Sequence, residues 1–323
     1  MIVKKRSVPL KLEMDEALLR RLVHGHVKRQ DIQTDATKRS AGYRGEMSLD
    51  YYLDGLPQTE YRIFNDLRLP ARHGSVFQID TLVLSKFFAL IIEVKNIAGT
   101  LFFDTSFHQL IRSYLDKEEG FIDPLSQVER HKFEWHTFLH NNNLTPLPIE
   151  TLVSISNPKT ILKTTPNNQA VYEKVIHNEQ LLNKINELKT KYHNPVMSSN
   201  RLDQISECLL QAHQPPAFNI LETYGIDKKD IRRGVQCPNC GTFAMKRIVR
   251  NWYCPFCQSY SKAAHEQAIR DYLLLIHPFI TNQACCQFLH IPSRHVANRI
   301  LNSMNLCSQG STKGRHYYLP KNG

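Results

Sequence analysis

Acidic side chains interrupt a long apolar stretch of the chain, where charges are costly to bury. Residues 76–95 are β-branched and apolar on both sides of a short polar break, a pattern that predicts a hairpin buried on both faces. With a two-residue turn at 86–87, Asp80 lies directly opposite Glu93, and their Cβ atoms are about 4.5–5.5 Å apart. Period-two alternation places Lys95 on the same face as Glu93. The sequence therefore predicts two carboxylates and one ammonium group at one end of an apolar hairpin.

Two like charges held together in an apolar setting raise each other's pKa unless a cation compensates them. A divalent ion with open water positions is the obvious compensator, and hard oxygen ligands suit Mg²⁺ or Mn²⁺. Such an ion would polarise a phosphoryl group, while Lys95 would orient the attacking water or stabilise charge on the phosphate. The predicted chemistry is hydrolysis of a phosphodiester bond. The alternative, a surface Asp80 and a Glu93–Lys95 pair that only solvate a strand end, fits the apolar flanks poorly.

Four of the eight cysteines form two C-x-x-C pairs with metal-ligand spacing. Cys237 and Cys240 make the first pair, Cys254 and Cys257 make the second, and thirteen residues separate the pairs. Two such pairs complete a tetrahedral shell of four thiolates around zinc, and residues 242–253 between them predict a short hairpin. The pattern indicates a zinc ribbon. Because a closed shell leaves no open coordination position, we expect this zinc to be structural.

The positive charge of the chain is concentrated at its C-terminal end. The 323 residues include 41 Lys and Arg against 30 Asp and Glu, for a net charge of +11. Residues 227–323 carry +10 of this charge, and residues 1–226 carry +1. A basic region beside a neutral body indicates a polyanionic partner, most often nucleic acid, rather than a device for solubility alone.

The same basic region predicts a helix-turn-helix followed by a hairpin, which is the pattern of a winged helix. Helices are expected at 281–289 and 294–304, and a hairpin at 310–319. The second helix would then face the major groove and the hairpin would touch phosphate. The predicted nucleic-acid contacts are Arg294, Asn298 and Arg299 on the helix and Lys313 and Arg315 on the hairpin. The alternative is a small helical domain with a solvated basic face.

Elements on either side of the hairpin must position its charged residues. The sequence predicts helices at about 43–56, 124–140, 178–190 and 199–213, and strands at 61–67, 100–104 and 151–156. Proline at 124 suits the first turn of the second of these helices. Pro215-Pro216 marks a boundary after the last of them.

This body resembles the nuclease-related domain (NERD) family, which belongs to the PD-(D/E)XK nuclease superfamily. The resemblance spans about residues 39–163. It rests on an ordered set of motifs: Gly45-Glu46, Ile79-Asp80, Ile92-Glu93-Val94-Lys95-Asn96 followed by Gly99, and Asp123-Pro124-Leu125-Ser126-Gln127 with Glu129-Arg130-His131.

The resemblance implies an α/β fold of the PD-(D/E)XK, restriction-endonuclease-like type, with a central mixed sheet flanked by helices. It also implies a metal-dependent nuclease site made of Glu46, Asp80, Glu93, Lys95 and Gln127. Glu46 would match the helix glutamate that supports metal binding, and Gln127 the polar residue on the following helix. Members often have asparagine before the proline, where this chain has aspartate. The domain is commonly joined to zinc ribbons and DNA-binding modules.

We therefore expect five segments in the chain. They are an N-terminal helical extension (1–40), a nuclease-like domain (41–163), a helical completion and linker (164–226), a zinc ribbon (234–260) and a winged-helix-like basic domain (262–323). The first hypothesis is a Mg²⁺- or Mn²⁺-dependent nuclease that acts on DNA, with zinc as a second, structural metal. The alternatives are a non-enzymatic DNA-binding regulator with a nuclease-like scaffold, and an RNA-directed nuclease. A degenerate scaffold would have lost at least one of Asp80, Glu93 and Lys95, and all three are present.

Other classes of function are disfavoured by what the sequence lacks. The longest uninterrupted apolar run, 87–92, is far shorter than the roughly 20 residues that cross a bilayer, and no secretory pattern is present. We therefore expect a soluble, cytoplasmic protein without a membrane partner. The chain has no glycine-rich phosphate loop, so we expect no small-molecule cofactor.

Overall fold

The computed structural model describes residues 1–311 and 314–320, and the chain divides into two compact units. Unit 1 contains residues 1–7 and 40–216, and unit 2 contains residues 8–39 together with those from 217 onward. The residues that precede the family-like body are therefore shared between the units. Residues 2–4 add a strand to unit 1, and residues 8–39 pack within unit 2.

The helices and strands are numbered here in chain order. The helices are α1 Leu10–Arg21, α2 Arg29–Leu53, α3 Pro124–Asn141, α4 Gln169–Lys174, α5 Leu181–Lys191, α6 Ser199–Ala212, α7 Ile220–Tyr224, α8 Ala264–Leu275, α9 Asn282–Leu289 and α10 Arg294–Ser303. The strands are β1 Ile2–Lys4, β2 Arg62–Pro70, β3 Val76–Leu84, β4 Ala89–Lys95, β5 Thr100–Asp104, β6 Gln109–Tyr114, β7 Lys117–Ile122, β8 Ile149–Ile155, β9 Ile161–Thr164, β10 Val175–His177, β11 Lys246–Ile248, β12 Asn251–Tyr253, β13 Tyr260–Ser261, β14 Ile280–Thr281, β15 Cys307–Gln309 and β16 His316–Tyr318.

A mixed six-stranded sheet in the order β1-β2-β3-β4-β8-β10 is the centre of unit 1. Strands β2, β3 and β4 pair antiparallel, whereas β8 lies parallel to both β4 and β10. Side chains alternate between the two faces, so Leu82 packs in the core under α3 and α6, while Val83 packs in the core under α2 and α5. The predicted α/β architecture with a central mixed sheet is confirmed.

The β3–β4 hairpin has the register that the sequence predicts. Leu84 pairs with Ala89 and Thr81 with Ile92, so the turn is formed by residues 86–87. The backbone N–H of Ser85 donates to the carbonyl of Phe88 at 3.0 Å and closes this turn. Strand β4 is buried along nearly its whole length, because β3 and β8 flank it and helices cover both faces.

A second sheet of four strands, in the order β7-β6-β5-β9, was predicted only in part. Strand β5 was expected, but β6, β7 and β9 were not. Strand β7 is exposed at every position, so it lacks the apolar alternation that identifies a strand in a sequence. Leu101, Phe103 and Leu110 pack this sheet against Val128 of α3 and Val153 of β8.

The predicted helix at 43–56 is the C-terminal half of α2, which begins at Arg29. The expected helices 124–140, 178–190 and 199–213 correspond to α3, α5 and α6, with ends that differ by at most three residues. Helix α5 begins later than predicted because residues 178–180 form a 3₁₀ turn. Among the described residues, no helix is both long and apolar enough to cross a membrane.

Unit 2 contains two small antiparallel sheets and a common core. One sheet has the order β11-β12-β13, and the other has the order β14-β16-β15. The core joins Trp252 of β12 to Phe288 of α9, Ile300 of α10 and Tyr317 of β16. Helix α1 contacts α8 through a buried ion pair, in which Nε of Arg21 lies 2.8 Å from Oδ2 of Asp271.

Candidate active site and cysteine centre

The charged end of the β3–β4 hairpin brings together three of the predicted site residues. The backbone pairing of β3 with β4 includes Thr81 but not Asp80, the preceding residue. Instead, Oδ2 of Asp80 accepts the backbone N–H of Val94 at 3.0 Å. Nζ of Lys95 donates to Oε1 of Glu93 at 2.7 Å. Glu93 is 4% exposed, so this ion pair lies at the buried end of the sheet.

Helix α3 adds two side chains to this end of the sheet. Asp123 caps the helix, with its carboxylate accepting the backbone N–H groups of Leu125 and Ser126. One turn later, Oε1 of Gln127 accepts from Nζ of Lys95 at 3.1 Å. His131, four residues further on and therefore on the same helix face, is buried with Nδ1 4.0 Å from Oε2 of Glu93.

Helix α2 reaches the same region because a glycine lets it approach the sheet closely. A Cβ atom at Gly45 would lie 2.5 Å from Cβ of Asn96 and 2.7 Å from Oγ of Ser156. Nδ2 of Asn96 donates to the carbonyl of Ala41 at 2.7 Å and fixes the same approach. The next residue of the helix, Glu46, is thereby directed toward the charged end of the hairpin.

Arg6, which lies outside the family-like body, neutralises the acidic side chains beside the hairpin. Its guanidinium is 2% exposed and lies 2.8 Å from Glu46, 3.1 Å from Asp50 and 3.5 Å from Asp66. It also donates to Oγ1 of Thr81 at 2.9 Å. The residues between β1 and α1 thus supply a permanent cation to the site.

Burial and mutual repulsion perturb the titration of these groups. Burial and the Asp66 carboxyl together, opposed by Arg6, raise the pKa of Glu46 to about 7. Burial, followed by the charges of Glu93 and Glu46, raises the pKa of Asp80 well above its usual range. Burial lowers the pKa of His131 despite the nearby Glu93 carboxylate. Carboxylates crowded in this way favour a bound cation.

A cleft of about 380 Å³ opens at this cluster. Asp80, Gln127 and His131 lie on its wall, and the exposed Arg130 borders it. The cleft gives a ligand access to Asp80, whereas the buried Glu93 is not part of its wall. An anionic ligand would meet Arg130 at the wall.

The donor set fits a hard divalent ion. Oε2 of Glu93 and Nδ1 of His131 are buried and have no hydrogen-bond partner within residues 1–311 and 314–320. A buried carboxylate oxygen without a hydrogen-bond donor destabilises the folded state, and a bound ion would remove this cost. Two protein carboxylates are few for a cation, but Mg²⁺ is held by one or two carboxylates and keeps several waters.

The four predicted zinc ligands meet in unit 2. The Sγ atoms of Cys237, Cys240, Cys254 and Cys257 all lie within 4.8 Å of one another. The Cys237–Cys257 and Cys240–Cys254 sulfur pairs are each 3.6 Å apart, close to the ~3.8 Å edge of a tetrahedron with Zn–S bonds of about 2.3 Å. Hydrogen bonds, first of all from the Ser259 hydroxyl, lower the pKa of Cys257 to about 5. This cluster is compatible with zinc.

The predicted nucleic-acid contacts lie in unit 2. Arg294, Arg299 and Arg315 are exposed. Oδ1 of Asn298 accepts the hydroxyl of Tyr317 at 3.1 Å, so this side chain also ties α10 to β16. Lys313 lies outside the described residues.

Sequence reasoning did not find Arg6, Asp50 or Asp66 in this cluster, and it gave His131 no role. Arg6 has no local signal, because Glu46, which it contacts, lies 40 positions away in the sequence. Asp66 had a usable signal, since it is a charge inside the apolar strand β2. At Asp66, whose φ is 52°, the pairing of β2 with β3 is interrupted opposite Asp80, and the carboxylate lies 3.5 Å from the Arg6 guanidinium.

The family comparison agrees with this geometry. The model of the nuclease-related domain (NERD) family matches residues 41–156, which contain the hairpin, the end of α2 and the helix that supplies Gln127 and His131. No curated protein and no solved structure matches the chain. The close approach at Gly45 and the cluster of Asp80, Glu93 and Lys95 thus lie within the segment, residues 41–156, that is similar to nuclease-related domains.

Proposed function

We propose that the chain is a metal-dependent nuclease that hydrolyses phosphodiester bonds of DNA. The observation that carries the proposal is the cluster of Asp80, Glu93 and Lys95 beside a cleft that Asp80 lines, with one buried oxygen of Glu93 lacking a partner among the described residues. A lone structural ion pair would leave no oxygen unsatisfied. A catalytic centre for phosphate chemistry needs this combination of carboxylates, an ammonium group and an opening for the substrate.

Each residue of the proposed site has a defined role. Asp80 and Glu93 would hold Mg²⁺ or Mn²⁺, and Glu46 would support them from α2. When bound, such an ion polarises the phosphoryl oxygen and lowers the pKa of a coordinated water. The ammonium group of Lys95, oriented by Glu93 and Gln127, stabilises the charge that builds on the phosphate.

The second unit is proposed to hold the nucleic acid. Four thiolates would bind one zinc ion and fix the ribbon hairpin, without taking part in the chemistry. Helices α9 and α10 with strands β14, β15 and β16 have the element order of a winged helix. We propose that Arg294, Asn298 and Arg299 contact DNA from α10, with Lys313 and Arg315 contacting it from the following hairpin.

The proposal is tested by incubating the full chain with end-labelled double-stranded DNA, single-stranded DNA and RNA in Mg²⁺, Mn²⁺ or EDTA. The variants are Asp80→Asn and, as a matched control, Asp116→Asn. Asp116 is exposed in the turn between β6 and β7, and asparagine tolerates its φ of 57°. We expect metal-dependent cutting of DNA that Asp80→Asn lowers at least 1,000-fold (order of magnitude) and Asp116→Asn leaves unchanged. Equal cutting by both variants would contradict the proposed site, and cutting of RNA alone would contradict the proposed substrate.

A further inference from the structure

The ribbon sheet of β11, β12 and β13 has one face toward the core and one face away from it. Trp252 of β12 is fully buried in the core of unit 2. It pairs with Arg247 of β11 and with Ser261 of β13, so these three residues form one row across the sheet, on its core face. Because side chains alternate between the two faces of a strand, the adjacent row lies on the outward face.

The outward row consists of Lys246, Tyr253 and Tyr260. Tyr253 pairs with Lys246 on one side and with Tyr260 on the other. The centres of the two tyrosine rings are 5.0 Å apart, and their planes are inclined by 43°. Tyr260 is 66% exposed, Tyr253 is half-buried, and Lys246 is exposed. This row, called here the tyrosine face, therefore presents two adjacent aromatic rings beside an ammonium group.

The chain around the tyrosine face carries positive charge only. Residues 234–265 contain no Asp or Glu, and their four basic residues are Lys246, Arg247, Arg250 and Lys262. Accessible aromatic rings among basic side chains are complementary to a ligand that is a polyanion and also has flat apolar groups. A nucleic-acid strand has both features, in its phosphates and its bases.

A short backbone connection holds the two tyrosines in place. Tyr253 directly precedes Cys254, and Tyr260 lies three residues after Cys257, so the second C-x-x-C pair joins their strands. The backbone N–H of Cys254 donates to the carbonyl of Ser259 at 3.0 Å and closes this connection. Aromatic side chains fixed on a paired sheet lose little conformational freedom when a ligand stacks on them, which favours binding.

We propose that the tyrosine face stacks unpaired bases of the nucleic-acid substrate, with Lys246 contacting the phosphate backbone beside them. This inference rests on the proposed function, and it specifies a single-stranded segment as the partner of the ribbon. In a duplex the faces of the bases are stacked on one another, so a tyrosine ring can reach them only in an unpaired strand. Because every base has an aromatic face, this contact would depend little on sequence.

The test measures binding without cutting, in the full chain carrying Asp80→Asn. The ligands are a fluorescein-labelled dT strand of about 15 nucleotides, a strand of equal length with abasic sites in place of its bases, and a duplex of the same length. Fluorescence anisotropy gives the dissociation constants at several KCl concentrations. Tyr260→Leu removes the ring but keeps an apolar side chain. Tyr172→Leu is the matched control, because Tyr172 is 60% exposed in α4 of unit 1. Zinc content and circular dichroism confirm that each variant is folded.

We expect the parent chain to bind the dT strand about tenfold more tightly than the abasic strand. Tyr260→Leu should weaken binding of the dT strand about tenfold and change binding of the abasic strand and the duplex by less than about twofold. Tyr172→Leu should leave all three affinities within about twofold of the parent. Lys246→Gln should instead weaken binding of the dT and abasic strands alike and reduce the salt slope by about 0.7, as loss of one single-strand phosphate contact does.

Equal affinity of the parent chain for the dT and abasic strands would overturn this inference, and so would equal dT binding by Tyr260→Leu and Tyr172→Leu. A Tyr260→Leu chain that binds both strands more weakly by the same factor would also overturn it, because the tyrosine pair would then only stabilise the sheet. Cleavage by the wild-type chain tests the nuclease separately, so the two failures can be told apart.

Discussion

In the segment that matches the nuclease-related domain family, Nδ1 of His131 lies 4.0 Å from Oε2 of Glu93, and both atoms are buried without a hydrogen-bond partner among the described residues. A direct hydrogen bond would need about 2.7–3.2 Å. The gap therefore separates two polar groups that face each other but do not bond. This geometry suits a water molecule or an ion that satisfies both groups, and it makes His131 a neighbour of the proposed metal ligands.

Replacing His131 with leucine is expected to lower cleavage at least tenfold, because Glu93 would then face an apolar side chain. His136→Leu is the matched control, since His136 is exposed five residues further along the same helix. Single-turnover cleavage of labelled DNA gives the rates. A His131→Leu chain that is folded, as judged by circular dichroism, and as active as His136→Leu would remove His131 from the site.

Substitution by alanine at two glycines of α2 is expected to change the free energy of unfolding in opposite directions. Gly45→Ala forces a Cβ atom to within 2.5 Å of Asn96, so it should lower the free energy of unfolding by roughly 1–3 kcal/mol and reduce cleavage. Nothing lies within 4 Å of a Cβ at Gly42. Gly42→Ala should therefore stabilise the helix by up to about 1 kcal/mol. Urea denaturation of both variants measures the difference, and destabilisation by Gly42→Ala alone would contradict this packing.

Glu46 should make the stability of the chain depend on pH. Its pKa of about 7 in the folded state exceeds the unfolded value, so folding takes up a proton between the two values. The free energy of unfolding therefore falls as the pH rises from about 4.5 to 7, and this contribution levels off above pH 7. In buffer without added Mg²⁺ or Mn²⁺, we expect the melting temperature of Glu46→Gln to fall less over this range than that of the wild type. Parallel pH profiles would contradict the raised pKa.

The zinc site is expected to be required for nucleic-acid binding and not for the chemistry. Cys254→Ser should reduce the zinc content from one ion per chain to near zero and weaken DNA binding at least tenfold, because the ribbon hairpin loses its anchor. Cys208→Ser, in α6 of unit 1, is the control and should retain zinc. Elemental analysis and anisotropy measure the two quantities. If the Cys254→Ser chain lost its zinc and still bound DNA with full affinity, the ribbon would not be required for DNA binding.

The hairpin and the helices of unit 1 could be predicted because their signals are local. The run of apolar residues around 86–87 fixes the β3–β4 register, which brings Asp80, Glu93 and Lys95 to one end. Asp123 and Pro124 predict the start of helix α3. This start fixes the position of Gln127 on the helix, from which its side chain contacts Lys95. In each case a few adjacent residues determine the geometry.

The remaining parts of the site depend on contacts that are distant in sequence. Arg6 enters the cluster because β1 pairs with β2, and three residues of an edge strand carry little periodicity. The exposed strand β7 has no apolar face to reveal it. The sequence did not predict that α2 begins at Arg29. The first half of this helix belongs to unit 2, where Ile32 packs in a core with residues distant in sequence, such as Ile220.

The most direct test of the central claim measures Mn²⁺ binding and DNA cleavage on the same preparations of wild type and Glu93→Gln. Electron paramagnetic resonance counts the bound Mn²⁺, and elemental analysis confirms that zinc is retained. We predict one Mn²⁺ bound at the carboxylate site of the wild type, a loss of that ion in Glu93→Gln, and a fall in cleavage of about 1,000-fold or more. Wild-type cleavage in Glu93→Gln, or Mn²⁺ binding that the substitution leaves unchanged, would contradict a metal-dependent nuclease site at Asp80 and Glu93.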